Sequence, residues 1–164
     1  YLSNGNSVLL CAAKTIHHQE VTQLINDQFG ANYLVSKNNL SAYPISLCAI
    51  VKGKVVAFCA GQIDSKNNGI LDLLIVQKSF QKTGIGTALF AARQELFLKL
   101  EITQFTLYHW VQPKFPLPFL AIKKGFTLIE IIEDYWAKES VHLKYDCSIC
   151  GPPPCRCSCA IYLK

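Results

Sequence analysis

The residues able to do chemistry are unevenly spread along this chain. Five of its eight cysteines fall within "CSICGPPPCRCSC", positions 147–159, and Gly84 and Gly86 stand in "LIVQKSFQKTGIGTAL", where an apolar run gives way to a helical pattern. A Cys-x-x-Cys-Gly knuckle can wrap a metal ion, because the glycine accepts the unusual backbone angle of the turn. In a following strand Cys155, Cys157 and Cys159 would all point to one face. Converging thiolates suit Zn2+ first, an iron–sulfur cluster second and disulfides third. The expected ligands are Cys147, Cys150, Cys155 and Cys157, with Cys159 as the alternative. Four filled positions leave none open for substrate or water, so the expected role is structural.

The glycine pair poses a different question. A P-loop needs four residues between its glycines and then Lys-Ser/Thr, which is not met. A dinucleotide fingerprint needs a third glycine or alanine where Leu89 stands, and it needs a βαβ setting for an acidic partner. What remains is Q-x-x-G-x-G: Gln81, Lys82, Thr83, Gly84, Ile85, Gly86. Glycines let the chain turn tightly and approach a ligand closely. The first unpaired N–H groups of the following helix then point at whatever sits there, so an anion such as a pyrophosphate fits.

The elements that must position these residues are legible in outline. Residues 7–13 read as a strand and 17–30 as a helix, with Val21, Leu24, Ile25 and Phe29 at helical spacing. His17 and His18 are expected at an exposed helix start. "ISLCAIV" and "KVVAFCAGQID" flank Gly53 as a hairpin, and "ILDLLIV" is a buried strand leading into the glycine junction. "GTALFAARQELFLKL" is a helix, "QFTLYHWV" a strand, and "PKFPLPFLAIKKG" a proline-rich stretch before a short helix ending at Gly125. "FTLIEIIEDYW", "SVHLKY" and "CSCAIYLK" read as further strands. This order predicts an α+β fold with a mixed, mostly antiparallel central sheet flanked by helices and a C-terminal metal-bound knuckle.

Composition narrows the classes. With 164 residues, 51% hydrophobic and 16% charged, a single packed domain is expected rather than disorder. Every apolar run is interrupted before the length a membrane helix needs, and no charged-then-apolar leader is visible, so we expect a cytoplasmic protein without a membrane partner. The net charge of +5 is scattered, with Lys123–Lys124 the only adjacent basic pair, which argues against a nucleic-acid partner and suits a polyanionic small ligand. Cys11, Cys48 and Cys59 sit singly in apolar runs, where a free thiol behaves as a small hydrophobe.

"LIVQKSFQKTGIGTAL" closely resembles the acetyl-CoA-binding motif of the GNAT superfamily of N-acetyltransferases: Leu74, Val76, Gln81, Gly84 and Gly86 match, and "AIKKGF" (121–126) is similar to that family's helix ending in Gly-Phe. The resemblance covers roughly residues 5–146. It implies an acetyltransferase domain over 1–146, with 147–164 a cysteine-rich metal-binding segment completing its last strand. It further implies acetyl-CoA as cosubstrate, held by Leu74, Ile75, Val76, Gln81, Lys82, Thr83, Gly84, Ile85, Gly86 and Thr87, with a backbone N–H near Val76 stabilising the thioester oxygen. The acetyl group would pass by direct attack to an amine-bearing acceptor, a small molecule or a protein. Many relatives carry a tyrosine as general acid four residues before the glycine of Gly-Phe; here that position is Ala121. Tyr108 is the substitute acid. Asp72 is the candidate base, because two-residue alternation puts it on one face with Leu74 and Val76; His109 falls opposite Tyr108. Trp110, Phe115 and Phe119 are candidate acceptor-pocket residues, together with the Phe29 to Tyr43 region and the loop after Trp110. Two other readings remain: a non-catalytic acyl-CoA-binding or regulatory module that kept the fold, and a body delivering acetyl to a partner docked on the knuckle. Acceptor identity and oligomeric state are not written in the sequence.

Overall fold

The computed structural model describes residues 7–33, 40, 43–112 and 117–164. One seven-stranded sheet runs through them in the order β1-β2-β3-β4-β5-β7-β6. The strands are β1 (Leu9–Ala12), β2 (Ile45–Val51), β3 (Lys54–Ile63), β4 (Gly69–Val76), β5 (Phe105–Trp110), β6 (Thr127–Ile132) and β7 (Cys159–Leu163). All pairings are antiparallel except β4 with β5. The helices are α1 (His18–Phe29), α2 (Ile85–Lys99), α3 (Phe119–Lys123) and α4 (Ala137–Leu143). Because β4 and β5 are parallel, the chain must cross between them, and α2 is that crossover. Among the described residues no helix is long and apolar enough to cross a membrane.

Each face of the sheet has its own core. Val21, Leu24 and Ile25 of α1 pack with Phe58, Leu73, Ile75 and Tyr145. On the other face Ile85 and Leu89 of α2 meet Leu47, Ala57 and Cys59, while Phe90 and Phe97 meet Leu71, Phe105 and Phe126. The β2–β3 turn is made by Lys52 and Gly53, both at positive φ (49° and 77°), the conformation a two-residue hairpin with twisted strands requires. Cys48 and Cys59 are fully buried, and burial pushes their thiols up to about 12 and about 11. They stay protonated and act as small apolar side chains.

Two expectations fail here. Residues 140–145 are not a strand: Ala137–Leu143 is helical, and Ser140 is fully buried with its hydroxyl donating to the Ala137 carbonyl at 2.9 Å. The alternation of Val141, Leu143 and Tyr145 misled, since Val141 is 54% exposed; the good helix formers Ala137, Lys138 and Glu139 decide the segment. His17 is buried rather than exposed, its Nδ1 accepting the Lys14 N–H at 3.1 Å in the turn before α1.

The far end of β3 and β4 is shaped by aromatic packing. Phe97 and Phe105 form an edge-to-face pair with ring centroids 5.8 Å apart. A Cβ at Gly61 would lie 2.6 Å from the fully buried Phe97 ring. Gly61→Ala should therefore overpack this layer and cost about 1–3 kcal/mol, read as a Tm lower by several degrees. An unchanged melting temperature would show that the ring has room to move.

Candidate functional site

The site begins with a bulge. β3 and β4 pair as Ala60↔Leu73 and then Gly61↔Leu71, so Asp72 is an extra residue with no partner of its own. Such a residue switches the faces of the strand on either side of it. Leu71 packs on the α2 side with Phe90 and Phe97, whereas Leu73 packs on the α1 side with Tyr33 and Tyr43. The expectation that Asp72 shares a face with Leu74 and Val76 is thereby overturned, because the bulge breaks the two-residue alternation on which it rested. Asp72 accepts hydrogen bonds from Gln62 Nε2 at 2.7 Å and from the Tyr43 hydroxyl, on the α1 side, while Leu74 and Val76 pack toward α2. Burial, reinforced by the Asp72 charge, raises the Tyr33 and Tyr43 hydroxyls above their ordinary value, so both remain donors.

Beneath the bulge lies Arg93, fully buried on α2. Its Nη1 donates to the Ala60 and Leu73 carbonyls, each at 2.7 Å, and its guanidinium lies 5.5 Å from the centre of the Phe90 ring. Burial lowers its pKa, yet a guanidinium stays charged in proteins. Nε and Nη2 have no partner among the described residues. Sequence reasoning passed over Arg93, although a signal existed: Leu89, Arg93 and Phe97 are four apart on the face of α2 that is buried.

From Leu71 onward the parallel strands part. Pairing of β4 with β5 is confined to Gly69↔Phe105, Ile70↔Thr106 and Leu71↔Leu107, so Asp72 and Tyr108, next in register, stand where the gap opens. The Gln77 N–H donates to Val56 on β3. Antiparallel alternation then turns the backbone groups of Val76 and Leu74 away from β3 and into the gap, and the Val76 carbonyl there accepts Gln81 Nε2 at 3.1 Å. A cleft of about 500 Å³ follows the gap through the sheet. At one end it meets Val76, Gln81, Lys82 and Gly86; at the other it meets Phe29, Tyr33, Trp110 and Tyr145.

The glycine junction closes the first end. Gly84 has φ 91° and is the N-cap of α2 with no side-chain cap, and Lys82 is also at positive φ, 61°. The Ala88 N–H bonds to the Gly84 carbonyl at 3.0 Å, so the N–H groups of Ile85, Gly86 and Thr87 have no acceptor within the helix. No acidic residue occupies the first turn. A Cβ at Gly86 would meet Val76 Cγ2 at 3.4 Å, so the start of α2 lies close against β4. The side chains are committed elsewhere, Thr83 Oγ1 to the Phe80 carbonyl at 2.6 Å and Ile85 to the core. What the junction offers an anion is therefore backbone and dipole. Ile75 differs from its neighbours, its side chain packing on the α1 face.

Among the remaining candidates, Tyr108 stacks on Tyr135 with centroids 6.1 Å apart, and His109 meets Tyr162 edge-on at 6.5 Å. Trp110 packs on Phe29 at 5.2 Å, and Phe119 borders the cleft while 63% exposed. Phe115, residues 34–39 and 41–42 and the loop 113–116 lie outside the described residues. Ala121 is buried beside the cleft.

The thiols of Cys147, Cys150, Cys155 and Cys157 lie within 4.8 Å of one another. The Cys147–Cys157 and Cys150–Cys157 sulfur separations are 3.7 and 3.4 Å; a tetrahedral ion with bonds of about 2.3 Å requires about 3.8 Å. The N–H groups of Ile149 and Cys150 point at the Cys147 sulfur, each at 3.4 Å, and that of Arg156 at the Cys150 sulfur at 3.3 Å. Such donors stabilise thiolates. The group could hold a metal ion. Cys155 and Cys157 precede β7 rather than lying in it, so the expected single strand face is not formed. Cys159 is within β7, paired with Trp110 and Ile132, and is not one of the four.

Comparison with known proteins agrees with this layout. No curated protein sequence matches the chain. Its fold is similar to that of Ard1 from Thermoplasma volcanium (15% identity, TM-score 0.72, covering 96% of each chain) and the ribosomal-protein-S18-alanine N-acetyltransferase from Escherichia coli (16%, 0.71, covering 96% of this chain and 92% of that one). It is likewise similar to Arabidopsis thaliana Naa50 in complex with the bisubstrate analogue CoA-Ac-MVNAL (16%, 0.70, covering 96% and 98%). Residues 15–115, more than half of the 164, match the model of the acetyltransferase (GNAT) family, and the chain belongs to that family.

Proposed function

We propose that this protein is an acetyl-CoA-dependent N-acetyltransferase that passes the acetyl group by direct attack to a primary amine. The observation that carries the reading is the parting of β4 from β5 beside the uncapped start of α2. A pyrophosphate would rest on the N–H groups of Ile85, Gly86 and Thr87, with Lys82 at the rim, and an extended arm would run along Leu74 to Val76 into the gap. Acetyl-CoA supplies an activated acyl group on a thiol that leaves readily. The Val76 N–H faces the gap, where it can stabilise negative charge developing on the thioester oxygen. Asp72 stands at the mouth of the gap, a carboxylate able to hold an ammonium and take up its proton. Tyr108, one register step from Asp72, is the group proposed to return a proton to the departing thiolate. The acetyltransferase domain is assigned to 1–146. Residues 147–164 form a metal-binding segment that completes the sheet and holds one structural Zn2+ on Cys147, Cys150, Cys155 and Cys157. A cytoplasmic setting keeps such thiols reduced.

Ala121 favours a second reading, an acyl-CoA-binding module without turnover, since the small buried side chain offers no acid. Turnover separates the two. Because two similar folds carry names that point to protein or peptide acceptors, the amine panel should begin with short peptides and continue through lysine peptides, polyamines and aminoglycosides. Release of CoA with any of them is expected. Asp72→Asn should lower kcat by about 10²–10⁴-fold with acetyl-CoA affinity unchanged, and Tyr108→Phe by a smaller factor. A change of less than about threefold in Asp72→Asn would remove the carboxylate from the mechanism. Metal analysis should find one zinc per chain; iron together with acid-labile sulfide would replace zinc by a cluster.

A further inference from the structure

The four-cysteine group touches more than its own knuckle. Its first arm closes the C-terminal end of α1: the Ser148 N–H donates to the Phe29 carbonyl at 2.8 Å, the Ser148 hydroxyl to the Gln28 carbonyl at 2.7 Å, and the Asp146 N–H to the Ala31 carbonyl at 3.1 Å. The two Ser148 contacts occupy carbonyls that a helix end leaves without partners. Gly30, at φ 124°, lies so close to the Asp146 carbonyl that a side chain there would collide with it. The second arm reaches the opposite wall. The Cys155 N–H donates to Ser140 Oγ of α4 at 2.8 Å, and Trp110 of β5 hydrogen-bonds the Cys157 sulfur. Trp110 and Trp136 pack directly on Cys147, Cys155 and Cys157.

Those neighbours are walls of the cleft. Phe29, Tyr33, Trp110, Trp136 and Tyr145 line it at the end away from the glycine junction, and Cys147 and Cys155 line it too. Among the described residues the two arms meet at the four sulfurs, where the Arg156 N–H also donates to Cys150 Sγ at 3.3 Å, and the bridge Cys147↔Gly151 lies within the first arm. The parts they hold also touch through Phe29–Trp110 and Tyr145–Glu139, contacts that a bound metal would reinforce. The cofactor end belongs to a different packing group, in which Ile85 and Leu89 meet β2 and β3 with no contribution from the knuckle.

We infer that the metal site builds the acceptor side of the cleft: occupancy by Zn2+ holds the end of α1, Trp110 and α4 together as one wall, and leaves the cofactor side unaffected. The inference rests on the proposed reading of this end as the acceptor pocket. It makes metal content a determinant of acceptor binding rather than of overall folding.

The test compares zinc-loaded full-length protein with the same protein after zinc chelation and after zinc is restored, by hydrogen exchange and by acrylamide quenching of the two tryptophans. Chelation should speed exchange by about tenfold or more in peptides covering 28–33, 105–112 and 137–148, raise the quenching constant, and leave 70–98 protected; added zinc should reverse all three. Cys150→Ser, which alters the exposed ligand and spares the buried ones, should reproduce the pattern without a chelator. Equal acceleration across 70–98 would make the site a staple of the whole fold and overturn the inference, as would protection unchanged everywhere. Acetyl-CoA titration of the same samples separates this from the parent reading. Equal affinity with and without zinc supports the inference. Failure of the loaded protein to bind acetyl-CoA defeats the acetyltransferase reading, and the exchange pattern still decides the role of the metal.

Discussion

Everything at this site depends on two parallel strands that stop pairing. After Leu71 and Leu107 the ladder between β4 and β5 ends, and the backbone groups of Leu74 and Val76 are left facing a gap instead of a neighbour. Unpaired strand backbone inside a domain is costly unless something satisfies it. Part of the answer is local, since Gln81 reaches back to the Val76 carbonyl. The rest is left to the proposed ligand, whose own amides would lie along the gap as a temporary strand. The α2 N-terminus stands beside the opening because a parallel pair needs a crossover helix, and this one starts where β4 ends.

Arg93 belongs to the same account. Burying a guanidinium costs several kcal/mol unless hydrogen bonds offset it, and this one is fully buried, with two carbonyls at 2.7 Å as its partners. Those carbonyls flank the bulge that turns Asp72 toward Tyr43 and Gln62. An apolar residue at 93 would take the guanidinium's hydrogen bond from both carbonyls. The charge therefore secures the bulge, and the bulge aims the carboxylate.

Much of this was legible in the sequence because periodicity reports burial. The β2–β3 hairpin, β4 and α2 follow from alternation, turn residues and helical spacing, and the glycine pair marked the helix start. The knuckle's spacing named the four cysteines that the fold brings together. What periodicity cannot carry is a break in period. A single bulge residue moved Asp72 to the other face, and residues 140–145 passed for a strand because Val141, Leu143 and Tyr145 fall two apart. The aromatic wall of Phe29, Tyr33, Trp110 and Tyr145 is assembled from distant segments, which spacing along the chain does not reveal.

The central claim is that the glycine junction and the gap together form a cradle for acetyl-CoA. Calorimetric titration of acetyl-CoA into the wild-type protein and into Gly84→Val/Gly86→Val, each checked for a cooperative thermal melt, addresses it most directly. Micromolar binding is expected of the wild type, with affinity weaker by at least about tenfold in a variant that still folds. Equal affinity in the two proteins, or no binding by well-folded wild type, would contradict it.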